Sequence, residues 1–466
     1  MMRTSILAVC CLAFSAPLHA QSTRPVDWNA LASETQQVLT DYIRINTTNP
    51  PGNELAAARF LKGILDREGI EAMILDTAEL GAGRANLYAR LKGNGTKRAV
   101  ALIHHMDVVP VAPQYWSVDP FGGIVKDGYL YGRGTLDMKG SGIAQLMAMI
   151  AIKRSGVALN RDIVYIANAD EELGSRGALI FVEKHQDLLK DVEFATTEGG
   201  DNSYENGQLR YVAVGAAEKR AIWQHLVVKG VPSHGSRPTK RNPVPKLIAA
   251  LDRIAHWETP LRLTPVTTKY FHDIARFYPE PKRSWLMNIS SALKNPKARE
   301  WIVSDVYWNA VLRNTISLTV VNGSNKTNVI PAEASADLDI RLLPDQDTTA
   351  FLAELKSVAA DTSVHFTGLS IVKPSLASPP TSAFVSAVER AVKDRDPKVF
   401  VTTPMYTAAT DRPTYQRAGI IAYGIDPFKV PSAELQSGMH GNDERLAVAN
   451  IGWGVHFVYD ILRHLQ

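Results

Sequence analysis

The sequence predicts an α/β fold in which a helix-covered sheet carries a smaller inserted α+β sandwich. Three observations point there. At 466 residues the chain exceeds one ordinary core, so two domains are expected. Up to Gly215, short apolar runs of strand length alternate with helical stretches, which indicates a sheet buried on both faces. Beyond it the order becomes strand, helix, strand, strand, helix, strand, as in a β-α-β-β-α-β sandwich.

Residues 1–20 read as an export signal. Arg3 supplies the positive start, Ile6 to Phe14 a short apolar run, and Leu18, His19 and Ala20 a small-residue cleavage site before Gln21. That run is shorter than a bilayer span, and no later stretch reaches about 18 uninterrupted apolar residues. The mature chain is therefore expected to be exported, periplasmic or secreted, without a stable membrane anchor.

Residues 21–215 form the first part of the main domain. Helices over 28–44 and 55–68 flank a break at Asn49, Pro50, Pro51 and Gly52. Strands follow at 85–91, 99–103, 162–167 and 194–197, separated by helices at 142–153 and 177–185. Residues 216–373 form the insert, with strands at 220–229, 316–321, 334–342 and 363–369 and helices at 243–256 and 348–360. Its aromatic-rich stretch 264–314 is expected to be a helical elaboration of the inserted domain. Residues 374–466 complete the main domain, with helices at 383–393 and 448–465 and short strands at 398–402 and 420–423.

Composition narrows the chemistry. A net charge of +4 with no basic tract argues against a nucleic-acid binder. The two cysteines, Cys10 and Cys11, both lie in the leader, so disulfides, thiolate catalysis and cysteine-held metals are excluded from the mature chain. Neither a Gly-x-Ser-x-Gly elbow nor a His-Glu-x-x-His helix is present.

What remains is a scatter of acids and histidines at the ends of strand-like runs. His105 and Asp107 follow the run 99–103, two residues apart and so on one face if the strand continues. His105 is expected on a metal, with the Asp107 carboxylate behind it on the other ring nitrogen. Asp137 sits in a glycine-dense turn, where an ordinary loop is the plainer alternative. Glu171 and Glu172 follow the strand 162–167. Either they form a solvated turn before a helix, or one binds metal while the other is base to an activated water. Glu198 follows another apolar run, and His440 lies between Gly438 and Gly441. Buried beside a core, such groups need compensation, and a pair of divalent cations would compensate them together.

The runs HHMDVVP, YWSVDPFGG, GYLYGRGTLDMKG, ADEELGSRGA, TTEGG, VPSHGSRP and MHGNDE closely resemble a family of di-zinc peptidases and amidohydrolases. It includes glutamate carboxypeptidase, carboxypeptidase S, aminoacylase, carnosinase and succinyl-diaminopimelate desuccinylase. The resemblance implies a mixed-sheet catalytic domain with an inserted lid and dimerisation domain. It implies two Zn2+ per chain, with Co2+ or Mn2+ as alternatives. His105 and Glu198 would serve one ion, Glu172 and His440 the other, and Asp137 would bridge them. Glu171 would be the general base and Asp107 the orienting acid. His234 would stabilise the oxyanion, commonly from the partner of a homodimer. Asn328 and Arg341 would hold the substrate, an arginine fork suiting a terminal carboxylate. Residues 406–412 are expected along the pocket. In the family a cis peptide often follows the bridging Asp, before an acid or Asn; Met138 follows here, which leaves the cis bond open. The implied reaction is hydrolysis of a peptide or N-acyl-amino-acid amide bond, by a carboxypeptidase or dipeptidase, or alternatively by an aminoacylase-type enzyme. A noncatalytic binding protein on the same fold is the alternative from another class.

Overall fold

The computed structural model describes residues 24–369 and 375–466. The expected leader, with Cys10 and Cys11, lies outside the described residues, as does the expected 373/374 boundary. Four parallel strands form the centre of the main sheet, in the order Ile163–Asn168, Ala99–His105, Val192–Thr197, Ile421–Ile425. On one side the antiparallel strands Ala85–Leu91 and Glu71–Asp76 extend it. On the other stand Gln208–Gly215, antiparallel to Ile421–Ile425, and Phe400–Thr402.

Alternate residues of the central strands feed separate cores. Val100 and Leu102 join the large core, while Ala99, Ala101 and Ile103 face the other layer with Ala178 and Phe181. This two-sided burial explains why these strands read as unbroken apolar runs. The helix Lys139–Ser155 lies in the large core and is buried nearly all round, and Gly156 ends it in a left-handed cap at φ 67°. The terminal helices Trp28–Ile43 and Val448–His464 cover it.

The inserted sheet is antiparallel: Glu333–Leu342 pairs along one edge with Arg220–Ala221 and Gln224–Lys229 in a single register and along the other with Thr315–Asn322, and Val364–Gly368 flanks Gln224–Lys229. The helices Pro243–Ala255 and Thr348–Ala359 pack on one face through Leu247, Ile254, Phe351 and Leu355. The sequence order β-α-β-β-α-β is thus present. The run 220–229, read as one strand, is broken at Ile222 and Trp223.

The stretch 264–314 corrects an expectation. It is helical, beginning with Pro265–Ile274 and ending with Val306–Leu312, but it does not elaborate the insert. Val266, Phe271, Trp308 and Leu312 belong to the large core of the main sheet. Phe277 lies 5.5 Å from Phe400 and 6.3 Å from Tyr211, ring centre to ring centre. The aromatics bury against the strands Gln208–Gly215 and Phe400–Thr402, whose apolar face would otherwise be wet.

One contact between the terminal helices is pH-sensitive. The half-buried His456 stacks on Trp28 at 3.5 Å. Burial, then the charges of Arg395 and Arg463, push its pKa down to about 4. An unfolded histidine titrates at about 6.5, so between these values the unfolded chain binds the proton and the fold does not. The contribution is whole above about pH 6.5 and is lost as pH falls through 4. Urea unfolding of His456→Phe against the parent should show a stability difference that changes over this window; a constant difference would contradict it.

Candidate metal centre

Three neighbouring parallel strands end at one place, the carboxyl edge of the sheet where ligands of open α/β sheets collect. His105 is the last residue of its strand and only 2% exposed. Glu171 and Glu172 follow Ile163–Asn168 through Asp170, which turns the chain at φ 66°. Glu198 follows Val192–Thr197. Two loops complete the cluster. Asp137 precedes the helix Lys139–Ser155, and His440 follows Ser432–Gly438. His440 is held at φ 60°, which costs an L-residue about 1–2 kcal/mol and therefore needs support from its surroundings.

Asp137 stands between the histidines. Its Oδ1 lies 3.0 Å from His105 Nε2 and its Oδ2 3.0 Å from His440 Nε2. Glu198 lies 3.8 Å from His105 Nε2, and Glu172 3.2 Å from His440 Nε2. The donors form two groups, His105, Asp137 and Glu198, and Asp137, Glu172 and His440, each with its atoms within 4.8 Å of one another. Tetrahedral N and O ligands at about 2.0–2.1 Å from a metal stand about 3.3 Å apart, so these spacings fit two ions sharing one carboxylate. Glu172 Oε1 is buried without a hydrogen-bond partner, an acceptor that a cation would satisfy.

Electrostatics point the same way. Burial first, then the charge of Glu198, pushes Glu171 well above the carboxylate range. Burial and Asp137 do the same to Glu198 and raise Glu172. Burial opposes charge on His105, but Asp107, Asp137 and Glu198 outweigh it and raise its pKa well above the usual value. Hydrogen bonds donated to the Asp137 and Glu172 carboxylates raise His440 to about 10. The cluster thus holds positive charge tightly, as protons or as metal.

One expectation changes here. The Asp107 carboxylate is not the hydrogen-bond partner of His105. The ring Nδ1 meets the main-chain carbonyl of Asp107 at 2.9 Å, with the carboxylate 3.6 Å away. That carboxylate instead accepts from the amides of Glu171 and Glu172 at 3.1 and 3.2 Å and from Asn49 Nδ2 at 2.8 Å. It places the Glu171–Glu172 turn and reaches the imidazole only as a neighbouring charge. The Asp137–Met138 peptide, which the sequence left open, is cis.

Other residues of the site carried no role in the sequence reading. Glu444 is fully buried and accepts from the amides of Gly134, Leu136 and Asp137 at 3.0, 2.7 and 3.1 Å, and from Arg133 at 2.7 Å. Arg133 also donates to the Gly441 carbonyl at 2.8 Å, so one ion pair ties the Asp137 loop to the His440 loop. Position four residues after His440 in MHGNDE was the only signal. Asn49, read as part of a chain break, also bonds Asp170 at 3.0 Å. Arg412 donates to the carbonyls of Glu198 and Gly215, each at 3.0 Å. A Cβ on Gly199 or Gly424 would fall 2.8 or 2.5 Å from its guanidinium, which accounts for glycine at both.

A cavity of about 560 Å3 opens onto Asp137, Glu171, Glu172, Glu198 and His440. Tyr406, Ala408, Ala409 and Thr410 line it, as does Arg341. Arg341 does not present an open fork, however, since its Nε and Nη2 bond Asp339 at 2.7 and 3.1 Å. His234 and Asn328 are not brought to the cavity. They sit together on the insert, exposed, where Ser233–His234 pairs with Val329–Ile330 and the Gly235 amide meets the Asn328 carbonyl at 2.7 Å.

Residues 101–464 match the model of Peptidase family M20/M25/M40. The chain is 28% identical over 377 residues to "Probable carboxypeptidase S-like 2" of Dictyostelium discoideum, covering 79% of this chain and 72% of that protein. It is 28% identical over 372 residues to the human "N-fatty-acyl-amino acid synthase/hydrolase PM20D1", covering 78% and 73%. In fold it is similar to the M20 family metallo-carboxypeptidase Sso-CP2 from Sulfolobus solfataricus, with a TM-score of 0.72, 20% identity, and 93% and 99% of the two chains covered.

Each histidine serves one donor group, so His105→Ala and His440→Ala should each lower bound metal from two ions per chain towards one. Metal analysis after dialysis checks this; two tightly held ions in either variant would contradict the grouping.

Proposed function

The chain belongs to peptidase family M20/M25/M40, and from that premise we propose that it is an exported two-zinc hydrolase of peptide or N-acyl-amino-acid amide bonds. The observation that carries this reading is the position of Asp137 between two donor groups, with Glu171 at the wall of the same cavity. His105 and Glu198 would hold one ion, Glu172 and His440 the other, with Asp137 between them. Cobalt and manganese suit the same donors. Two such ions would polarise an amide carbonyl and acidify a water.

The residues of the chain do the rest. Glu171 accepts a proton from the attacking water and returns it to the leaving nitrogen. The Asp107 carboxylate fixes the Glu171 and Glu172 amides, so base and ligand keep a constant separation. His234 would complete the site from a partner subunit, polarising the substrate carbonyl. Its exposure and its place away from the chain's own cavity support a homodimer formed through the insert. So does the strand Thr315–Asn322, which lies at the edge of its sheet with Val321 58% exposed. Export rests on the leader sequence; among the described residues no helix is long and apolar enough to cross a membrane.

A carboxypeptidase or dipeptidase is the first reading of the substrate. The second, an N-acyl-amino-acid hydrolase, is favoured by the apolar residues Leu179, Pro413 and Met439 in the cavity and by the similarity to the protein named as an N-fatty-acyl-amino acid hydrolase. A panel of dipeptides, longer peptides and N-acyl amino acids with zinc, cobalt and manganese tests both, and no turnover of any would remove the hydrolase.

Glu171→Gln should lower kcat by about 100-fold to 10,000-fold while two ions stay bound. Substantial residual turnover would remove Glu171 as the base. Mixing His234→Ala with Glu171→Ala protomers should restore activity, because a hybrid dimer contains one site with both groups; no recovery after subunit exchange would count against sharing.

A further inference from the structure

A second cavity, of about 500 Å3, shares no lining residue with the one that opens onto Asp137. It stands among the end of the helix Ala383–Arg395, the start of the strand Gln208–Gly215 and the helix Val448–His464. Arg395, Lys398 and Lys429 line it with Trp453, and Asp396 is the one acid among its described lining residues. Arg395 gives Nε and Nη2 to a single oxygen of Asp460, at 3.0 and 2.8 Å. Its Nη1 has no hydrogen-bond partner among the described residues. Lys429 has no carboxylate partner among them either; its ammonium lies 5.2 Å from the centre of the Trp453 ring, and the Arg395 guanidinium 5.6 Å from the same ring. Phe457 stacks on that indole at 4.9 Å and fixes it. Burial, then the charge of Arg395, lowers the proton affinity of Lys429. A half-buried cation is thus held beside a like charge, with an aromatic ring as its offset. The rest of the wall is apolar, with Val392 and Val399 buried and Leu209 half-buried.

We infer that this cleft is a second binding site, for an organic monoanion whose carboxylate sits between Lys429 and Arg395 and whose apolar body lies along Leu209, Val392 and Val399. Charge balance selects a monoanion. Asp460 already matches Arg395, and Lys398 and Asp396 are exposed and of opposite sign. One unmatched charge remains inside, that of Lys429. A carboxylate supplies its counter-charge and an acceptor for Arg395 Nη1. Volume selects an organic ligand, since small-molecule sites span about 300–1,000 Å3 and a carboxylate alone needs far less. The site is also built on chain that serves the metal centre. Asn450 clamps the Lys429 main chain, donating to its carbonyl at 2.7 Å and accepting from its amide at 3.3 Å. From there the chain runs into the helix Ser432–Gly438, just ahead of His440.

Lysine labelling of the zinc-loaded chain tests this directly. Acetylation by an N-hydroxysuccinimide ester, read peptide by peptide in a mass spectrometer, compares Lys429 with the exposed Lys126. Hexanoate in excess should slow labelling of Lys429 about threefold or more and leave Lys126 unchanged. Acetate, which lacks the body, should protect less. Hexanamide, which keeps the body and lacks the charge, should not protect. Leu209→Glu puts a fixed carboxylate on the cleft wall and should remove the protection by hexanoate, with near-UV circular dichroism unchanged. Labelling of Lys429 that is indifferent to hexanoate, or slowed equally by hexanamide or equally at Lys126, would overturn the inference. Protection by acetate or inorganic phosphate as strong as by hexanoate would overturn the apolar body. Full protection in folded Leu209→Glu would overturn the place of the site.

Discussion

The repulsion among buried carboxylates around Asp137 is the constraint on which the rest of the structure depends. Asp137, Glu171, Glu172 and Glu198 share one cavity wall, and each of the three glutamates has its proton affinity raised by burial and by a neighbouring acid. Kept ionised without a counter-charge, such a cluster would cost more than a domain's whole margin of stability, so it takes up protons or cations. Two histidines on opposite oxygens of Asp137 divide it into two sites for positive charge.

The surrounding fold keeps those loops in place. Glu444 gathers three amides of the Asp137 loop and, through Arg133, the His440 loop. Asp107 holds the Glu171–Glu172 turn, and Asn49 joins Asp107 to Asp170, which Arg84 reaches at 2.8 Å. Arg412 steadies the Glu198 carbonyl in a space left by glycines. Every loop that bears a donor is thus fastened by a buried charged or amide side chain, which is what metal ligands require of their supports.

The fold and the candidate donor residues were legible in local signals, while their division into two groups was implied by the family resemblance. Apolar runs such as 99–103 mark strands buried on both faces, and the acids stand just past their ends. What escaped depends on tertiary contact. Glu444 looks like any loop acid until its amide partners, some 310 residues away, are brought to it. The Asp107 carboxylate and Arg341 each carry the expected residue type, but the first turns to backbone amides and the second to Asp339, because spacing alone does not say which way a side chain points. The aromatics of 264–314 signalled burial without naming the surface that buries them, and that surface is the main sheet. His234 and Asn328 remain apart from the cavity in the single chain, which suits a site completed by a second subunit.

The central claim is that two cations replace protons in this cluster. Calorimetric titration of metal-stripped protein with Zn2+ near neutral pH, in two buffers of different ionisation enthalpy, tests it most directly. Two ions should bind per chain with net release of protons, because His105 and His440, whose proton affinities are raised by the acids around them, must give theirs up to bind metal. Binding of one ion or none, or of two without proton release, would contradict it.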